Sequence, residues 1–210
     1  MNQTAQDRIP PAALAAWMLA ASTFLYAFLQ RVSPSVMVED LMAGFGVGGT
    51  VLGNLSAFYL YAYAALQVPL GMLFDRFGVR RLMAGSMLAA AAGSAIFAAA
   101  QAIEMAYLGR MLIGAGVACT FVGALTVTAQ TMPPARFAML AGIVQMLGMV
   151  GAIFGQAPLA ALVATLGWRG ALVAMGGLAA APRRRPGSRT GCAPWPACAR
   201  PGPARSSASR

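Results

Sequence analysis

The sequence contains no histidine, no lysine and only five acidic residues in 210 positions. Without imidazole there is no Ser-His or Cys-His activation of a nucleophile, and zinc loses its commonest nitrogen ligand. No nucleotide-binding glycine loop is present either, so no cofactor and no metal are expected and the chain is read as non-enzymatic. Cysteine is also scarce. Cys119 lies inside an apolar run and reads as a small buried hydrophobe, whereas Cys192 and Cys198 lack any partner for a metal site. Charge is the largest deficit: 10% of residues are charged, against about 25% in a soluble domain, while 59% are hydrophobic. A soluble fold has too little interior to hide that much apolar surface. The bilayer is the expected solvent.

The formal charge of +10 does not describe a nucleic-acid surface. All 15 basic residues are arginine and seven of them follow Ala181. Residues 1–180 hold eight Arg against five acids, with no basic face on which a nucleic acid would lie. No nucleic-acid partner is expected.

A hydrocarbon core about 30 Å thick is crossed by about 20 helical residues. Apolar segments of that order fall at 12–38, 50–73, 82–102, 105–131 and 137–166, and a further one runs from 170 to 181. Helices are expected for all of them, because open strands would leave backbone groups unpaired in lipid. Arg76, Arg80, Arg81 and Arg136 fall in alternate connections, and Glu39, Asp40 and Glu104 in the others. The positive-inside rule then sets the N-terminus, residues 1–11, in the cytoplasm.

Two stretches 89 residues apart repeat one another. Gly53, Gln67, Pro69, Leu70, Leu73, Gly78 and Arg80 match Gly142, Gln156, Pro158, Leu159, Leu162, Gly167 and Arg169. The offset equals three spans, an odd number, so the copies must insert in opposite orientations. Asp75 and Arg76 of the first copy become Ala164 and Thr165 in the second. Residues 182–210 are different material, with seven Arg, six Pro and no helical periodicity. They read either as a disordered cytoplasmic tail or, as expected here, as the product of a frameshift that cuts the sixth span short.

The run Gly71-Met-Leu-Phe-Asp75-Arg76-Phe-Gly78-Val-Arg80-Arg81 lies between the second and third spans. It resembles the major facilitator superfamily, whose signature there is Gly, three residues, Asp, Arg or Lys, one residue, Gly, then basic residues. The resemblance implies an all-α membrane bundle, the N-terminal six-helix half of an alternating-access carrier built as a 3+3 inverted repeat. It also implies that Gly71, Asp75, Arg76, Gly78, Arg80 and Arg81 form a gate, with Asp75 accepting from helix N-termini or pairing with arginines. Arg110, Gly114 and Gly116 resemble the family's fourth-helix motif. Val117 stands where several relatives carry glutamate, so a carboxylate proton-coupling step is not expected there.

The stretch from Leu29 to Met42, with Arg31-Val32-Ser33-Pro34-Ser35-Val36, is similar to the end of helix one in the family's organic-anion branch. An anion crossing a low-dielectric path needs a fixed cation to offset its desolvation. Arg31 is the first candidate and Arg110 the second. Ser56, Tyr59, Tyr63 and Gln67 share one face of the second span, and Gln145, Gly148, Ala152 and Gln156 share one of the fifth. Such polar faces either line a water-filled cavity or glue helices together. Tyr59, Tyr63 and Gln67 are the candidates for orienting a substrate.

The expected function is secondary active transport of a small organic anion across the plasma membrane, coupled to protons or sodium, here as a truncated, inactive half. A homodimeric half-transporter, a partnership with a separate C-terminal half, and a non-transporting membrane scaffold are the alternatives. If the frameshift reading holds, sequencing the gene past codon 181 and translating the other two frames will uncover further apolar spans. Absence of any apolar span in either frame would overturn it.

Overall fold

The computed structural model describes residues 10–180. The segment 182–210, and most of the expected N-terminal segment 1–11, therefore lie outside the described residues. Eight α-helices follow one another: α1 Pro11–Val36, α2 Val38–Phe45, α3 Gly49–Gln67, α4 Leu70–Phe77, α5 Val79–Ala98, α6 Ile103–Thr131, α7 Phe137–Phe154 and α8 Ala157–Ala180. A 3-10 turn, Pro134–Arg136, precedes α7, and no strand occurs among the described residues. Four helical stretches are long and apolar enough to cross a membrane, or five when α2 and α3, bent by 111° to each other, count as one.

Prolines decide where the expected spans break. The first apolar segment, 12–38, ends as a helix at Val36, because Pro34 removes a donor and Met37 N–H turns back to Pro34 O at 3.2 Å. Its remaining residues start the separate helix α2. The second, 50–73, breaks at Val68–Pro69 and resumes as α4 through Phe77. The fifth, 137–166, breaks at Gly155–Gln156, just before Pro158. Helical structure then runs through to Ala180, with one non-helical residue, Gly167, inside it.

The 89-residue repeat reappears in the backbone. Gly78 has φ 74° and ψ 150°, and Gly167 has φ 71° and ψ 166°. Side-chain-bearing residues are strained there, so glycine is required at both sharp turns. Each copy therefore reads span, proline break, short helix, left-handed glycine, span.

Packing follows the same symmetry. Along α3 and α6, Tyr107 Oη donates to Val51 O at 3.1 Å and Gly114 abuts the Tyr59 carbonyl, so the two helices run parallel. Along α1 and α7, Gly148 abuts Phe24, Gly151 abuts the Leu25 carbonyl and Gly155 abuts Leu29, again in parallel. Advancing position 59 and setting back position 114 by one repeat gives 148 and 25, where α7 and α1 meet. Meanwhile α5 lies antiparallel between α6 and α8, with Gly93 against Gly109 on one side and Gly176 beside Ser94 on the other. Helices in lipid gain little from apolar burial against each other, so close backbone approach supplies the association.

A Cβ at Gly114 or Gly151 would overlap a backbone carbonyl of the neighbouring helix, whereas one at Gly142 meets nothing within 4 Å. Gly114→Ala and Gly151→Ala are each expected to lower stability by about 1–3 kcal/mol. Gly142→Ala is expected to be neutral or stabilising by up to about 1 kcal/mol, since alanine is the better helix former. Thermal unfolding in detergent measures all three, and equal midpoints for Gly151→Ala and Gly142→Ala would refute this packing.

Candidate functional site

The most deeply buried charge among the described residues organises the site. Arg110 stands seven residues into α6, about 10 Å along its axis, and its side chain is fully buried. It therefore does not snorkel to a membrane interface. Its Nη1 donates to the backbone carbonyl of Gln30 on α1 at 3.0 Å. That carbonyl is free because Pro34, four residues on, has no N–H to complete the helical bond. Ser33 Oγ donates to the same oxygen at 3.0 Å. A helix broken by proline is thus repaired from a neighbouring helix, as buried backbone in lipid requires.

Around this bond lies a compact polar cluster. The Gln30 side chain donates through Nε2 to Tyr26 Oη and to Ser94 Oγ, the latter at 2.8 Å. Ser94 Oγ donates in turn to Ala90 O at 2.9 Å. Tyr59 Oη reaches Ala27 O at 3.3 Å, and the Arg110 guanidinium lies 4.8 Å from the centre of the Tyr59 ring. Cation–π attraction of this kind strengthens when both groups are desolvated. Three buried atoms of the cluster have no partner among the described residues: Arg110 Nε, Arg110 Nη2 and Gln30 Oε1. No carboxylate offsets the Arg110 charge here.

From Tyr59 the polar face of α3 continues outward. Tyr63 stacks on Tyr59 with ring centres 6.4 Å apart, and Gln67 follows one helical turn on along the same face. Arg31 is exposed on α1, 5.8 Å from the Phe28 ring. Tyr59, Tyr63 and Gln67 thus form a polar track along one face of α3, with the buried Arg110 guanidinium against the Tyr59 ring. The stripe on α7 divides: Gln145 and Gln156 are exposed, while Gly148 packs against α1.

The gate motif sits apart from this track. Gly71, Asp75, Arg76, Gly78, Arg80 and Arg81 are all exposed. Arg76 lies 5.6 Å from its neighbour Phe77, and among the described residues Asp75 neither caps α5 nor pairs with an arginine. Three members of the buried cluster were not candidates on sequence grounds: Tyr26, Gln30 and Ser94. Tyr26, Gln30 and Ser33 recur at spacings of four and three on α1, the same signal that exposes the face of α3. Ser94 carries no such signal, being one small hydroxyl in an alanine-rich helix.

Comparison with known proteins agrees with this architecture. The family model described as Major Facilitator Superfamily matches residues 19–181. The chain is 28% identical over 174 residues to the "Uncharacterized transporter YybO" of Bacillus subtilis, covering 81% of this chain and 40% of that protein. It is 24% identical over 153 residues to the "Probable sulfoacetate transporter SauU" of Cupriavidus necator, covering 73% and 36% respectively. It is 27% identical over 112 residues to the "Probable galactarate/D-glucarate transporter GudP" of Pseudomonas putida, covering 50% and 25%. The chain thus spans less than half the length of each of these relatives. Its all-helical fold with paired inverted repeats, its apolar spans and its matched residues make it a multi-pass membrane protein that belongs to the Major Facilitator Superfamily.

Proposed function

We propose that these spans form the anion-binding half of a secondary active carrier for a small organic anion, working by alternating access with proton or sodium coupling. The N-terminus is cytoplasmic and the carrier resides in the plasma membrane. The observation that carries this reading is the uncompensated positive charge: Arg110 is buried with two of its nitrogens unpartnered and no carboxylate paired with it among the described residues, and Arg31 is exposed on α1. A buried cation without an anion is unfavourable by roughly several kcal/mol, so a site of this kind is completed by a negatively charged ligand. Two relatives are named for sulfoacetate and for galactarate or D-glucarate, which are dianionic solutes, in line with this reading.

The residues divide the work. Arg31, exposed on α1, meets the carboxylate; Tyr63 and Gln67 orient it. Arg110 acts chiefly through position, fixing the proline-broken end of α1 and holding positive potential behind the Tyr59 ring. Asp75, Arg76, Arg80 and Arg81 serve as a gate whose partner groups belong to the opposing half of the carrier, since no such partner lies among the described residues.

D-glucarate is expected to raise the thermal midpoint of the purified chain, whereas the neutral polyol galactitol is not. Arg31→Gln should weaken D-glucarate binding by about tenfold or more, the loss expected for one charge-assisted contact, and leave the ligand-free midpoint unchanged. Equal shifts from both solutes, or undiminished binding by Arg31→Gln, would sink the proposal. Arg110→Leu has a different signature. It leaves the Gln30 carbonyl without its interhelical donor and lowers the ligand-free midpoint, by about 1–3 kcal/mol of stability.

A further inference from the structure

A second concavity lies away from the polar track, between the α3–α4 arm and α5, with α6 as its floor. It has a volume of about 420 Å³, and its walls include Leu66, Leu70, Leu73 and Phe77 on one side and Leu82 and Ala89 on the other. Along α5 it runs from Arg81 to Ala89, about 12 Å of helix. Both rims are open: Met72 is 69% exposed, Phe77 51% and Leu88 61%.

Two polar side chains line this groove. Ser86 Oγ donates to its own helix at Met83 O, 2.9 Å away, and is already satisfied. Arg81 is exposed at the end where α4 turns into α5, beside Arg76 and Arg80 and a single carboxylate, Asp75. An extended peptide segment would bring backbone N–H and C=O groups that these walls cannot pair, which is unfavourable away from water. A hydrocarbon tail brings none. The tail of a phospholipid would end at the membrane face, where Arg81 stands and where three guanidinium groups face one carboxylate.

We propose that this groove holds an acyl chain of an anionic phospholipid, with the lipid phosphate on Arg81. Neither the family match nor the proposed transport reading assigns a ligand there. The site does not depend on Arg31 or Arg110.

The α5 wall of the groove supplies the test. A Cβ at Gly85 meets nothing within 4 Å, and Gly85 lines the groove, so a leucine there takes up groove volume. The delipidated full chain is titrated with phosphatidylglycerol and with phosphatidylcholine, and bound lipid is counted by native mass spectrometry. The unmodified chain is expected to prefer phosphatidylglycerol about five-fold, the effect of one arginine near the membrane surface. Arg81→Gln is expected to abolish that preference while still retaining lipid. Gly85→Leu is expected to reduce retention of both lipids, and Gly142→Leu, on an open face elsewhere, to change neither. Equal binding of the two lipids by the unmodified chain would overturn the proposal, as would full retention by Gly85→Leu. Displacement of the lipid by millimolar glycerol 3-phosphate would also overturn it, by assigning Arg81 to a soluble anion.

Discussion

The carbonyl oxygen of Gln30 is where the constraints on this chain meet. Backbone polar groups inside a bilayer must find partners within the protein. Pro34 removes the N–H that would pair with Gln30 O, and the chain answers with Arg110 Nη1 from α6 and Ser33 Oγ from the same helix. One bond therefore links the first and second repeats, fixes the end of α1 and justifies a guanidinium in the membrane interior. The surrounding contacts follow from holding that guanidinium: Tyr59 covers its face, and Gln30, Tyr26 and Ser94 pair with one another beside it.

The bond does not satisfy the arginine completely. Guanidinium offers five donors, and two of its three nitrogens, Nε and Nη2, remain unpartnered among the described residues. A purely structural role would be served by a neutral donor, which carries no charge-burial penalty. Arginine at this position thus serves the backbone and the electrostatics together: it closes a gap in α1 and sets a positive potential behind an aromatic wall. The Tyr59–Tyr63 stack carries the aromatic wall on from the Arg110 guanidinium.

Much of the fold was legible because membrane spans obey few rules. Apolar length marked out the helical stretches, of which four or five are long enough to cross a membrane against six expected, and the repeat pairs Gly78 with Gly167, two positions where only glycine avoids strain. Breaks inside the spans were less legible. Pro69 and Pro158 are visible in sequence, yet a proline within an apolar run is compatible with a kink, a broken helix or continuity, and neighbouring helices decide among them. The site was half legible. Arg110 and Tyr59 advertise themselves by chemistry and spacing, whereas the role of Gln30 depends on a side-chain contact with α5 and a backbone contact with α6, neither of which is local in sequence. The family resemblance implies that Asp75 accepts from a helix N-terminus or pairs with arginines. Asp75 is exposed near the end of α4, where water competes for the carboxylate, and among the described residues it makes neither contact.

The two repeats share a backbone but not a chemistry, and the difference has a physical origin. Both copies break at a proline and turn at a left-handed glycine, so each presents a short helix and a tight corner at a membrane face. In the first copy that corner carries Asp75, Arg76, Arg80 and Arg81; in the second, Ala164, Thr165 and Arg169 stand at the equivalents of positions 75, 76 and 80. Arg169 is committed within the bundle, to the first repeat: Nη2 donates to Ala100 O at 3.0 Å, and the guanidinium lies 4.3 Å from the Trp168 ring. The first corner keeps exposed charges of both signs with no ion-pair partner among the described residues. Equal geometry thus carries unequal chemistry: open charge at one corner, and aromatic packing of Phe45, Phe97 and Trp168 at the other.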